Sequence, residues 1–259
     1  MNISKKKYDH FTSVANFYPN VRDTDYDPIN YIIQNLERID NLEIIDLGCG
    51  TGRYTKLLMN ELGVHNEITG IDANLKMLKK FQERLSKDST IQIKTICSSI
   101  EDLEVPRNQN YDVFLSFNAV HHFNLGVLFR KIDRMLKPRG RAFIYTRTPM
   151  QNRSSIWGKY FPKFTFYENR LLNPQKFEKI LYKVQHLQLI EMRFFSYNRV
   201  ATLDELIHKV QSHHYSTFSF YEPNELRKAI MKFKRQLEMQ NQKLISWIDR
   251  NLMVQMMKV

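Results

Sequence analysis

The chain has 259 residues, 42% hydrophobic and 12% aromatic, so it can bury a substantial core and is too apolar for intrinsic disorder. No stretch approaches the ~18 uninterrupted apolar residues of a membrane span, and the basic start Met1–Tyr8 lacks the apolar segment of a signal peptide. Two cysteines do not make a disulfide framework, and a cytoplasmic protein without a membrane partner is expected.

The net charge of +12 is uneven: residues 1–148 hold 21 Lys+Arg against 18 Asp+Glu, and residues 149–259 hold 18 against 9. The basic half reads first as solvated helix faces. Nucleic acid or an anionic small substrate are the alternatives.

In chain order, residues 1–43 read as helices in front of a sheet, the last of them Ile29 to Ile39. Next comes Ile44-Ile45-Asp46-Leu47-Gly48-Cys49-Gly50-Thr51-Gly52, a hydrophobic strand ending in Asp and then a glycine turn, followed by a helical stretch at 53–62. Strand, tight turn and helix in that order bring the backbone against a nucleotide-like ligand. Gly48 and Gly50 can take positive φ, and Gly52 allows close helix–strand packing. About twenty residues on, Ile68-Thr69-Gly70-Ile71-Asp72 is a second strand ending in an acid that can accept both ribose hydroxyls of an adenosine. A dinucleotide and S-adenosylmethionine (SAM) both suit this pair of strands. The GxGxG spacing and Asp46 decide between them. A carboxylate there repels pyrophosphate but suits the ammonium of an amino acid.

Strands at 42–47, 67–72, 91–97, 111–117 and 141–147 alternate with helices at 53–62, 74–86 and 125–136, a βαβ series and hence a parallel sheet. Residues 150–172 are aromatic and polar without clear periodicity. A helix from the cap Asn173 to about Val184 precedes a strand at 187–197. Two amphipathic helices follow, with stripes Leu203, Leu206, Ile207, Val210 and Leu226, Ile230, Phe233, Leu237, and the chain closes as a strand at 250–259.

The glycine turn resembles the first motif of class I SAM-dependent methyltransferases, and Gly70 to Leu78 the second. Ser98 to Leu103 resembles the adenine-holding third, Tyr111 to Phe123 the fourth strand and its exit, and Leu136 to Ile144 the turn into the fifth strand. The motifs stand in the family's order over residues 44–148, and the chain is identified as a member in its small-molecule branch. The resemblance implies an α/β fold, a Rossmann-like seven-stranded mostly parallel sheet with a helical substrate-covering insertion. It implies a helical cap over the cofactor at 1–43, a SAM-binding core at 44–148, and completion of the sheet within 149–259, with helical cover at 149–172 and 202–243. The implied cofactor contacts are Tyr18, Arg22, Asp46, Gly48, Cys49, Gly50, Gly52, Asp72, Ala73, Met77, Ser99, Ile100, Glu101 and Asn118, with S-adenosylhomocysteine as the product and no metal. Ser99 stands where many relatives carry an acid for the adenine amino group, and a hydroxyl accepts that bond less strongly.

Several acceptors are disfavoured. Adenine N-methylation uses [DNS]-P-P-[YFW] after the fourth strand, where this chain reads Phe117-Asn118-Ala119-Val120. No cysteine stands there for cytosine C5 chemistry, and two cysteines do not serve arsenite. The expected reaction is methyl transfer to an O, N or C atom of a small molecule, an anionic one suiting the basic half. RNA methylation and a non-catalytic SAM-binding role are the alternatives. His121 and His122 are the candidate bases, since the segment lies beside the methyl group in this family and imidazole titrates near neutrality. The competing reading is that one of them caps or orients the next helix. Trp157, Tyr160, His214 and Tyr215 are candidate pocket walls, with core packing the competing reading.

Overall fold

The structure, a computed structural model, describes residues 24–63, 65–86, 91–104 and 110–259. Tyr18 and Arg22 lie outside the described residues. The chain divides into two compact units, one of residues 24–146, 172–193 and 252–259, and one whose described residues are 147–171 and 194–251. No helix among the described residues is long and apolar enough to cross a membrane.

The first unit is built on a sheet. Its strands are β1 (Glu43–Leu47), β2 (Glu67–Asp72), β3 (Gln92–Cys97), β4 (Tyr111–Phe117), β5 (Leu136–Thr146) and parts of β6 (Leu187–Ala201) and β7 (Ile245–Lys258). The spatial order is β3-β2-β1-β4-β5-β7-β6. Strands β1 to β5 run parallel, and β7 runs antiparallel to β5. In β1 the four residues after Glu43 are all buried, as expected of a strand covered on both faces. Helices α1 (Asp27–Gln34), α2 (Arg53–Leu62), α3 (Leu75–Leu85), α4 (Leu125–Met135) and, after three helices of the other unit, α8 (Pro174–Leu181) belong to this unit. Ile45, Phe114, Leu128, Phe129, Ile132, Phe177 and Val254 are among its core residues, each nearly or fully buried.

The order of strands decides where a ligand can go. From β1 the chain moves outward through β2 and β3, then returns to lay β4 on the opposite side of β1. The crossovers after β1 and after β4 therefore leave in opposite directions, which opens a crevice at the carboxyl ends of these two strands. Both the glycine turn and the His121-His122 segment sit at those ends.

Several elements differ from the sequence expectation. Strand β5 starts at Leu136, which pairs with Tyr111, and the register then shifts so that Arg141 faces Val113. The intervening residues, with Pro138 and Gly140, accommodate that shift as a bulge. Helix α1 begins at Asp27 because Pro28 suits the first helical turn. Strands β6 and β7 are longer than expected, since they continue from one unit into the other.

The second unit is helical and contains residues read as irregular. Helix α5 (Pro149–Ser154) starts on a capping box between Thr148 and Gln151, α6 (Ile156–Tyr160) is capped by Ser155, and α7 is Phe164–Tyr167. Caps rather than periodicity specify the first two of these short pieces. Helices α9 (Leu203–Gln211) and α10 (Pro223–Glu238) bury Leu206, Val210, Phe233 and Leu237 from the expected stripes in a core with Trp157, Phe161, Phe164 and Phe218.

Close packing of α3 on the sheet generates a prediction. A Cβ on Gly70 of β2 would stand 2.6 Å from Phe81 Cε1 and 2.8 Å from its Cζ, and Phe81 is fully buried. Gly70→Ala is expected to cost about 1–3 kcal/mol, visible as a lowered midpoint in thermal unfolding with native secondary structure retained.

Candidate functional site

The site grows from the end of β1. Gly48, Gly50 and Gly52 all have positive φ (67°, 53° and 70°), a region L side chains rarely adopt. Their neighbours differ. A Cβ on Gly48 would meet Ala119 Cβ at 2.4 Å, and one on Gly52 would meet Phe81 at 2.7 Å, whereas one on Gly50 meets nothing within 4 Å among the described residues. Gly48 is therefore held against the segment after β4 and Gly52 against α3. Gly50 is the position with open space in front of it.

Asp72, ending β2, ties this turn to the neighbouring crossover. One of its carboxylate oxygens accepts the Gly50 N–H at 2.9 Å, and the other accepts the Asn74 N–H at 2.8 Å. The Asn74 side chain in turn accepts from the amides of Lys76 and Met77, capping α3. The amides of Gly48 and Cys49 donate to the Ile71 carbonyl, and Ser98, just past β3, donates its amide proton to the Asp72 carbonyl. Three strand ends are thus bound to one another.

Asp46 lies beneath the turn, 1% exposed. The Thr55 hydroxyl from α2 donates to one of its oxygens, and the other is buried without a partner among the described residues. Burial, reinforced by the nearby Asp72 charge and opposed by Thr55, raises its pKa to about 7. Burial likewise raises Asp72 to about 6, against the two amide bonds that lower it. The same desolvation lifts the Cys49 thiol well above its ordinary value, so it is a neutral filler. A buried, unpartnered carboxylate oxygen beside an open glycine suits a small cation with hydrogen-bond donors, as an amino acid ammonium is. The residues present therefore fit SAM.

The other expected contacts fall as follows. Ser99 Oγ donates to Asp102 at 2.7 Å and accepts the Asp102 amide proton at 3.1 Å. Its hydroxyl is thus engaged in closing its own turn. Ile100 is 1% exposed, and Glu101 accepts the Asn124 amide proton through its side chain. Met77 is buried in α3 with a 2% exposed side chain. Ala73 lies between Asp72 and the cap of α3. Asn118 has φ 55° and donates its amide proton to the Tyr145 carbonyl at 2.7 Å. His121 and His122 occupy a single 3₁₀ turn, half-buried, with ring centroids 4.1 Å apart.

Sequence reasoning missed a buried cluster in the same unit. Tyr145, at the end of β5, donates to Asp25 at 3.0 Å, and the Tyr54 hydroxyl stands 3.5 Å from the same oxygen. Tyr54 stacks on Phe117, the last residue of β4, at 4.8 Å. The only available sequence signal is that Phe117 and Tyr145 stand at strand carboxyl ends. Nothing local marks Asp25.

The second unit brings Trp157, His214 and Tyr215 together: the Trp157 and His214 rings are 4.8 Å apart, and those of His214 and Tyr215 are 4.2 Å apart. Trp157 (2% exposed) stacks on Phe233, and His214 (4% exposed) meets the Lys209 carbonyl through Nδ1. Both belong to the aromatic core of that unit. Tyr160 and Tyr215 are half-buried at its margin.

Residues 45–144 match a family model described as a methyltransferase domain. Over 56% of its length, this chain is 27% identical to a malonyl-acyl-carrier-protein O-methyltransferase of Priestia megaterium, the match spanning about half (51%) of that relative. A ubiquinone biosynthesis O-methyltransferase of Rickettsia bellii is 26% identical over 66% of this chain and 73% of its own. Among solved structures, the YcgJ protein of Bacillus subtilis shares the fold with a TM-score of 0.62 at 16% identity, covering 90% of this chain and 99% of that one.

The electrostatics of the site predict a pH dependence. Asp46 and Asp72 have folded pKa values raised above their ordinary 3.8, so the folded chain binds more protons than the unfolded chain in between. Their contribution to stability is full below about pH 4 and is lost as pH rises through about 6 to 7. The unliganded Asp46→Asn variant is expected to show a flatter fall in melting temperature than the parent between pH 5 and 8.

Proposed function

We infer that this chain, a class I SAM-dependent methyltransferase, transfers a methyl group from SAM to an O, N or C atom of a small-molecule acceptor and releases S-adenosylhomocysteine. The observation that carries this reading is the unpartnered, buried oxygen of Asp46 beneath a glycine turn that is open at Gly50.

SAM, when bound, supplies a methyl group already activated by its sulfonium. The chain's own residues have to place, shield and deprotonate. Asp46 would take the ammonium, directly or through water. Asp72 would accept the ribose hydroxyls, because each of its oxygens has a lone pair beyond the one given to an amide. The turn 99–102 would face the adenine through backbone amides, with the Ser99 hydroxyl secondary since it already holds Asp102. Cys49, Gly52, Ala73, Met77 and Asn118 support these contacts by shape. Tyr18 and Arg22 remain proposed closing residues, Arg22 toward the methionine carboxylate.

His121 and His122 are the proposed bases, supported by their place after β4 and their incomplete burial. In the second unit, Tyr160 and Tyr215 are favoured as acceptor contacts over Trp157 and His214, whose surfaces are spent on the aromatic core. The relatives' names support a small acceptor: both act as O-methyltransferases, one in ubiquinone biosynthesis and one on malonyl-acyl-carrier protein. RNA is the second reading. It is favoured by the exposed Arg227, Lys228, Lys232 and Arg235 of α10.

Incubation with methyl-labelled SAM and cell extract, followed by separation into small-molecule, RNA and protein fractions, tests the function. Label in small molecules is expected, and label in RNA would replace the reading and recast residues 149–259 as a nucleic-acid surface. In calorimetry, Asp72→Ala is expected to weaken SAM binding by about 1–3 kcal/mol. An unchanged affinity would remove the ribose assignment. SAM affinity of the parent is also expected to rise from pH 5.5 to 8, as Asp46 and Asp72 ionise through about 7 and about 6. Asp46→Asn should blunt that rise.

A further inference from the structure

Lys131 lies on α4, where a lysine ordinarily extends into water. Its ammonium instead donates to three carbonyls of one turn: Ile100 at 2.6 Å, Glu101 at 3.1 Å and Leu103 at 2.5 Å. An ammonium has three protons, and all are used. The turn is fastened at further points. Leu103 donates its amide proton to the Ser99 carbonyl at 3.0 Å, and the Glu101 carboxylate accepts the amide proton of Asn124, the cap of α4. Ile100 and Leu103 are anchored by burial in the same core as Leu128 and Ile132 of α4.

Peptide geometry turns this clamp into a direction. The described chain has no cis peptide bonds. In a trans peptide the carbonyl and the following N–H point in opposite directions. With the Ile100 carbonyl aimed at Lys131, the Glu101 N–H aims away from α4. That amide has no acceptor among the described residues, whereas the next one, of Asp102, is taken by Ser99 Oγ. The Ser99 and Ile100 amides likewise have no acceptor among the described residues, so what Lys131 fixes is the direction in which the Glu101 amide points.

We propose that Lys131 is a positioning residue for cofactor base recognition, holding the 99–103 turn so that the Glu101 amide is presented to a ring nitrogen of adenine. The inference rests on the SAM reading above. It assigns the discrimination of the base to a backbone donor set from behind by a charged side chain, in a turn where Ser99 supplies no carboxylate. Adenine N1 accepts a hydrogen bond, whereas N1 of hypoxanthine carries a proton. A fixed amide donor therefore separates the two bases.

The test is calorimetric titration of the full chain with S-adenosylhomocysteine and with its deaminated analogue, in which hypoxanthine replaces adenine. The parent is expected to prefer the adenine ligand. Lys131→Met is expected to lose about tenfold in affinity for it and much less for the analogue, so that the preference collapses. Lys131→Arg, which keeps donors on the same side, is expected to retain most of the preference. A merely structural lysine would weaken both ligands equally, and that result overturns the proposal, as does a parent that binds both ligands alike. If Lys131→Met does not fold, Lys131→Gln is read by the same ratio. A parent that binds neither ligand overturns the SAM reading itself.

Discussion

The Asp72 carboxylate accepts two amide protons, from Gly50 at 2.9 Å and Asn74 at 2.8 Å, and much of the site is arranged around that pair of bonds. The first bond fixes the glycine turn after β1, and the second fixes the residue that caps α3. Helix α3 carries Phe81, which fills the space left by the missing side chains of Gly52 and Gly70. The third strand is joined to the same point through the Ser98 amide and the Asp72 carbonyl. A single acid therefore sets the relative positions of three strand ends and the helix beside them. It does so at the crevice created by the reversal of strand order between β1 and β4.

The arrangement has an electrostatic cost. Asp46 is buried near Asp72, and burial raises the pKa of both, Asp46 to about 7. Thr55 satisfies one oxygen of Asp46 and leaves the other bare. A core built for stability alone would not keep such an oxygen, because an unsatisfied buried acceptor costs roughly 1–3 kcal/mol. A cationic ligand relieves both the missing hydrogen bond and the like-charge repulsion. The same atoms that weaken the fold are thus the ones that the proposed function gives to the ligand.

The second unit has its own aromatic core, in which Trp157 stacks on Phe233 and touches the rings of His214 and Phe218. Aromatic density alone did not separate a pocket wall from a core in the sequence, because both use the same residues. Burial divides the four residues: Trp157 and His214 are enclosed, and Tyr160 and Tyr215 keep surface. On α10 the apolar stripe is turned inward, while Arg227, Lys228, Lys232 and Arg235 stay exposed.

Patterns confined to a few neighbouring residues were legible without coordinates. The glycine turn, the acids ending β1 and β2, the alternation of strands and helices, and the stripes on α9 and α10 all follow from local sterics and from periods of two and 3.6 residues. Cap-driven helices in 149–160 and the bulged start of β5 escaped, since their determinants are single side-chain bonds and an irregular register. The partners within the site were beyond sequence for another reason. Asp25 meets Tyr145 across 120 positions of sequence, and Lys131 meets Ile100 across 31. A lysine on an amphipathic helix and an acid before a helix have no periodicity that distinguishes them from solvated neighbours. The sequence by itself determined the chain's class of fold and the places of its glycine turn and strand-ending acids, because those depend on local backbone conformations. Tertiary structure alone decided which carboxylate oxygen has no partner among the described residues and which way the amides of the 99–103 turn point, because those depend on what the folded sheet brings alongside.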